Sequence, residues 1–166
     1  MSFNEEDVLI ASNKKMQEFA KKEVPMIGYC SPNLLRLSDK VCEIKIALSD
    51  KTKNHVDSMY FGALAVGADI TCGFLAMSMC DKQPDYVELV FKDFKIDFKR
   101  RVLADAHFIC EDGEVIEKMI QETTATGQRV SEEIKVSVTT PSISNEVVAE
   151  CCLTLSLKKK LKRILD

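Results

Sequence analysis

Apolar residues follow two rhythms along this chain, and one stretch has neither. Residues 40–48 alternate, with Cys42, Ile44, Ile46 and Leu48 on one side and Glu43 and Lys45 on the other, as in a half-buried strand. After Pro84 the alternation returns. Val87, Leu89 and Phe91 share one parity and Phe94, Ile96 and Phe98 the other, so a bulge or sharp coil is expected at Lys92-Asp93. Val102, Ala104, Ala106, Phe108 and Cys110 share the next strand face. Ile134, Val136 and Val138 do so within 130–138, and Ala149, Cys151, Leu153, Leu155 and Leu157 within 147–157.

Helical spacing appears in three places. Residues 5–22 gather Leu9, Met16 and Phe19 on one side among many charges. Residues 113–124 begin near Asp112 and bury Val115, Ile116, Met119 and Ile120. Glu114 and Lys118 pair four residues apart, and Gly127 ends the helix. Pro25 and Pro32 bracket a turn containing Gly28. The third helical stretch is the unpatterned one, 59–80, small and apolar all round, with Asp69 as its single ionisable group. Asp57 or Ser58 is expected to cap its start.

The order is helix, one or two strands, long helix, then four strands with a short helical interruption. Long alternating strands have one thick apolar object to wrap, the helix from about Tyr60, whose Gly62, Ala63, Ala65, Gly67, Ala68 and Gly73 permit close approach. The expectation is an α+β fold, a curved antiparallel sheet around a long central helix. It forms one domain over 1–166, with 1–24 as an N-terminal helical segment. Two such sheets commonly join edge to edge.

Composition narrows the function classes. A 166-residue chain with a 46% apolar fraction can bury one core. A net charge of −3 argues against a nucleic-acid binder, which would show a broad basic face. Seven cysteines, odd in number and without a C-x-x-C pair, read as reduced core thiols of a cytoplasmic protein. Cys151 and Cys152 should point to opposite strand faces. The N-terminus has no apolar signal core. The 59–80 stretch is long enough for a membrane span, but a central Asp costs about 2.5–3.5 kcal/mol on insertion, and the amphipathic strands need a buried helix to cover them. His55 and His107 are isolated, so no metal site is expected.

Two segments, N54-H-V-D-S-M-Y-F-G-A-L-A-V-G-A-D69 and F98-K-R-R-V-L-A-D-A-H-F-I-C-E-D-G113, resemble the hotdog-fold thioesterase superfamily, in particular the phenylacetate-pathway-type acyl-CoA thioesterases and an uncharacterised hotdog branch. The family pattern is an Asn or Gln, a His-Gly-Gly helix start, and an Asp or Glu further along the helix. Asn54 and Asp69 match its first and last positions. Tyr60-Phe61-Gly62 replaces His-Gly-Gly, keeping one glycine, and Gly73 stands where some members carry a Thr or Ser that helps hold the water.

The resemblance implies a thioester substrate, acyl-CoA or a related carrier, with coenzyme A entering only as part of it and no other cofactor. It implies that Asp69 activates water or attacks the carbonyl, and that Asn54 orients the water or the acyl group. The Phe61 and Gly62 amides would hold the oxyanion, and Tyr60 and Gly73 would line the pocket. The acid's counterpart usually meets the amide and Asn of a second protomer, so a homodimer or homotetramer is implied. Of the two basic clusters, Lys99-Arg100-Arg101 and the Lys158–Arg163 tail, one could meet coenzyme A phosphates.

Plainer readings stand beside these. Asp69 could be tied up by a hydroxyl such as Thr71, Asn54 could be a turn or cap residue, Tyr60 a core aromatic, and both basic clusters solvated strand ends. A non-catalytic acyl-binding or structural dimer is the alternative function. A dehydratase would need a histidine near the helix start, where only His55 lies, off the family register.

Overall fold

In the computed structural model residues 5–160 are described. The elements are α1 (Glu5–Lys22), α2 (Pro25–Cys30), β1 (Asn33–Leu37), β2 (Cys42–Ile46), α3 (Phe61–Cys80), β3 (Tyr86–Phe98), β4 (Ala106–Cys110), α4 (Gly113–Thr126), β5 (Val130–Thr140) and β6 (Ser144–Lys160). One six-stranded sheet, ordered β1-β2-β4-β5-β6-β3 and antiparallel throughout, curves around α3. This is the expected hotdog arrangement. Its core gathers the inward residues of every strand with α3, and α1, α2 and α4 pack at its margins.

The wrapping needs close contact. A side-chain carbon at Gly67 would collide with the ring of Phe108 on β4, so the glycine lets a fully buried phenylalanine lie directly on the helix backbone. By length and composition alone α3 could cross a membrane, yet 67% of its most apolar window is buried within the protein. It is the core helix, and no membrane span is indicated.

Several boundaries differ from the sequence reading. The 25–32 turn is a short helix, because Pro25 occupies the first helical position, where its fixed φ is already suitable. Neither Asp57 nor Ser58 caps α3; extended Tyr60 does so without a side-chain bond. The strand expected from Val102 begins only at Ala106, since Val102 is held in a loop by its carbonyl, which accepts the Met59 amide at 2.8 Å. Glu114 meets Lys40 across 2.9 Å rather than Lys118. Lys162 and Arg163 of the basic tail lie outside the described residues.

The bulge at Lys92-Asp93 is present, as the β3–β6 register shifts between Phe91 and Phe94. Beyond it the inward parity is right but the cover is missing: Phe94 is 40% and Phe98 52% exposed. They oppose the buried Leu153 and Ala149 on β6, so they lie on the core side of the sheet past the reach of α3. The outer edge of this thirteen-residue strand is also unpaired.

Two glycines of α3 should behave oppositely. Gly67→Ala forces a methyl into Phe108 and should destabilise the fold by about 1–3 kcal/mol. At Gly73 a methyl meets Phe91 at 3.7 Å, an ordinary contact, so Gly73→Ala should gain up to about 1 kcal/mol of helix propensity. Urea unfolding of both variants checks the contrast.

Candidate active site

α3 is not covered all round. Gly62, Ala65, Val66, Asp69, Gly73 and Met77 form a stripe of partly exposed positions three or four residues apart. Asp69 sits in its middle and lines a cavity with Gly73, Met77, Leu89 and Phe91. Gly73 leaves open the space between the Asp69 carboxylate and the Phe91 ring: a side-chain carbon there would stand 4.0 Å from Asp69 Oδ1.

Asp69 has no ion-pair or hydrogen-bond partner among the described residues. Thr71, the hydroxyl that could have held it, donates instead to the Gly67 carbonyl at 2.7 Å. Desolvation with no compensating donor raises the Asp69 pKa above its ordinary value. Such a carboxylate is a better base than a solvated one.

The start of α3 forms a second recess, of about 430 Å³, lined by Asn54, Tyr60, Phe61, Phe98, Arg101 and neighbours. Because Tyr60 supplies no side-chain cap, its carbonyl accepts the Ala63 and Leu64 amides while those of Phe61 and Gly62 remain without partners. The Tyr60 and Phe61 rings lie 4.7 Å apart, and both are exposed. Tyr60 is therefore not a core aromatic. Its ring crosses Gly62, where any side chain would collide with it.

Asn54 holds the loop leading into the helix. Its Oδ1 accepts the Val56 amide at 3.0 Å and the Ser58 amide at 3.2 Å, and its Nδ2 lies 3.0 Å from Ser58 Oγ. The carboxamide oxygen is occupied within its own loop, as in an Asx turn, while Asp57 takes a left-handed φ of 56°.

The basic cluster is unequal. Lys99 pairs with Asp97 and Glu150, and Arg100 with Glu146. Arg101 has no such partner among the described residues and lines the recess. Lys159 and Lys160 of the tail meet Asp85 and Glu88.

The candidate residues thus fall in two groups. Asn54, Tyr60, Phe61, Gly62 and the basic cluster gather at the helix start, and Asp69 with Gly73 lies further on. Phe61 and Asp69 are eight residues apart, about 12 Å along the axis at 1.5 Å per residue. One small polar group cannot touch both within a single chain. The Asn54 oxygen's engagement in its loop agrees with the plainer reading of Asn54 as a turn residue, whereas the solitary status of Arg101 was missed, since it depends on which neighbours arrive. Phe91 facing Asp69 was visible only as an inward parity.

Other reactive groups are quiet. All seven cysteines are free thiols. Burial pushes Cys80 and Cys151 up to about 12, far from thiolate formation at neutral pH. His107 lies 2.9 Å from Glu43 across β2–β4, while His55 is exposed on the 54–58 loop at the recess. No cluster of metal-binding side chains occurs among the described residues.

A sheet wrapped on one helix, with an acid on the helix's open stripe, defines a hotdog-fold protein. Solved structures share this fold. Protein PA5026 of Pseudomonas aeruginosa, described as a protein of unknown function and a probable thioesterase, is 20% identical with a TM-score of 0.75, covering 89% of this chain and 95% of its own. Thioesterase HI1161 of Haemophilus influenzae is 12% identical with a TM-score of 0.67, covering 99% of this chain and 96% of its own. A mutant of thioesterase PA1618 of P. aeruginosa is 9% identical with a TM-score of 0.67, covering 89% and 94%. No curated protein matches the chain in sequence. The chain belongs to the family described as "Domain of unknown function (DUF4442)", whose model matches residues 12–157.

A raised Asp69 pKa has a direct consequence for stability. Its folded value lies above its unfolded one, so ionisation destabilises the fold. That penalty is absent below the ordinary value of 3.8, grows as pH rises to the folded pKa, and is complete above it. Asp69→Asn should therefore melt higher than the native chain at pH 7, the gain shrinking to nothing as pH falls below about 3.8. Thermal melts at concentrations where the chain is monomeric check this.

Proposed function

We propose that the protein is a cytoplasmic acyl-CoA thioesterase working as a homodimer or homotetramer, with Asp69 as its general base or nucleophile. The observation that carries the reading is the Asp69 carboxylate, desolvated and without a partner, facing a cavity beside a residue without a side chain. Membership of a hotdog family and the thioesterase neighbours support the reaction class.

Asp69 takes a proton from water as the water oxygen bonds to the thioester carbonyl carbon. The carbonyl oxygen gains charge, which the Phe61 and Gly62 amides and the positive end of α3 stabilise. Collapse breaks the carbon–sulfur bond, and the thiolate leaves to become the free thiol by taking up the proton. Alternatively Asp69 attacks the carbonyl itself, the carbon–sulfur bond breaks as the thiolate leaves, and water then opens the resulting anhydride, returning the Asp69 carboxylate, releasing the acid and supplying the thiolate's proton. Asn54 acts through the loop that it braces, setting the position of those amides.

The two groups of site residues need two chains. Antiparallel pairing of β3 with the β3 of a second copy would satisfy its open edge and cover Phe94 and Phe98. It would also lay the open stripes of two α3 helices side by side, so that the start of one helix approaches the acid of the other. Arg101 is the unpaired cation in the recess and the best placed of the three basic residues to meet a coenzyme A phosphate. Tyr60 and Phe61 offer an apolar rim beside it.

A second reading, a non-catalytic acyl-binding dimer, is favoured by one observation: the Asn54 oxygen already accepts bonds from its own loop and is not free for water.

Thiol release from a panel of acyl-CoA esters separates the two. The native chain should release thiol, Asp69→Asn should lose at least a hundredfold, and Phe94→Asp should sediment as a monomer and be equally impaired. Equal rates for the native chain and Asp69→Asn would remove the acid from the mechanism. No release with any ester, alongside measurable ligand binding, would favour the binding protein. Arg101→Glu should raise KM for coenzyme A esters by about tenfold, one lost charge-assisted contact, and leave KM for the matching pantetheine esters, which lack the nucleotide, unchanged.

A further inference from the structure

The cavity beside Asp69 is elongated and has a direction. Its volume is about 1120 Å³, and it lies between α3 and the first half of β3, with α1 and α2 reaching its floor. Asp69, Gly73 and Phe91 mark one end. From there Ile70, Phe74 and Met77 on α3 face Leu89 on β3 and Ile27 on α2 as far as Cys80. The wall between is apolar.

At the Cys80 end the charged residues are already matched: Asp81 with Lys15, Asp85 with Lys159, and Glu88 with Lys160 and Arg129. Among the described residues that end offers no unmatched charge to a polar or carboxylated terminus. Asp69 to Cys80 spans eleven residues, about 16 Å of helix at 1.5 Å per residue.

We infer that this groove takes the hydrocarbon tail of the substrate, an unbranched aliphatic chain of roughly ten to twelve carbons running from Asp69 toward Cys80, at about 1.3 Å per extended carbon in a 16 Å groove. The inference rests on the thioesterase reading for the position of the carbonyl and adds the class of acyl group. A groove whose apolar side chains run along α3 toward these ion pairs rewards each added methylene until the chain reaches the pairs. A short or compact aromatic acyl group would leave most of the wall wet.

The test is a straight-chain acyl-CoA series from acetyl to hexadecanoyl, with the native protein, Met77→Trp and Leu89→Trp. For the native chain kcat/KM should rise by about fourfold per methylene, as expected for a buried CH2, and level off near dodecanoyl. Either tryptophan should lower the dodecanoyl-to-butanoyl rate ratio at least tenfold, a ratio that loss of folded protein does not alter.

Affinities of dodecyl- and butyl-CoA thioethers, which cannot be hydrolysed, should show the same selectivity and the same loss. A flat chain-length profile, or a ratio unmoved by both tryptophans, overturns the groove while leaving the thioesterase reading intact. No hydrolysis of any ester, with selective dodecyl thioether binding that Met77→Trp abolishes, sinks the enzyme and keeps the groove.

Discussion

Everything in this molecule is arranged around contact between one apolar helix and the sheet that encloses it. α3 carries a single carboxylate and no basic residue in twenty positions and so gains little from facing water. Its glycines let aromatic rings approach the backbone, most closely where Phe108 lies on Gly67. Each inward strand residue that reaches the helix removes apolar surface from water, at about 25 cal/mol per Å². The curvature of the sheet is what allows so many to reach it.

The six-stranded sheet leaves one stripe of α3 partly exposed, and Asp69 lies on it. The open stripe of α3 leaves Asp69 partly exposed beside the first half of β3, and the second half leaves Phe94 and Phe98 exposed. An acid left unpaired on an otherwise apolar helix is unfavourable for the isolated fold. A cavity lies beside it, and the Phe61 amide stands about 12 Å away along the helix axis.

Local polar bonds decide which residues remain available for function. Asn54 braces the 54–58 loop, Lys99 and Arg100 are held by neighbouring acids, and the cluster's free charge is reduced to Arg101. A basic run in sequence therefore overstates the positive charge offered to a ligand. Tyr60 shows the converse. It sits at the exposed helix start, next to Phe61, although its residue type suits a core.

Strand parity, the bulge after Phe91, the central helix and the isolation of Asp69 were all legible in the sequence. They depend on spacing along the chain, and the periods of strand and helix convert spacing directly into direction. The start of α3 at Tyr60, the short β4 and the pairing of Glu114 with Lys40 depended on contacts between distant segments. So did the exposure of Phe94 and Phe98 and the groove from Asp69 to Cys80. Sequence determined which residues face inward; only the tertiary structure decided which of them find something there to meet, because burial and charge pairing are properties of neighbours that the chain brings together from afar.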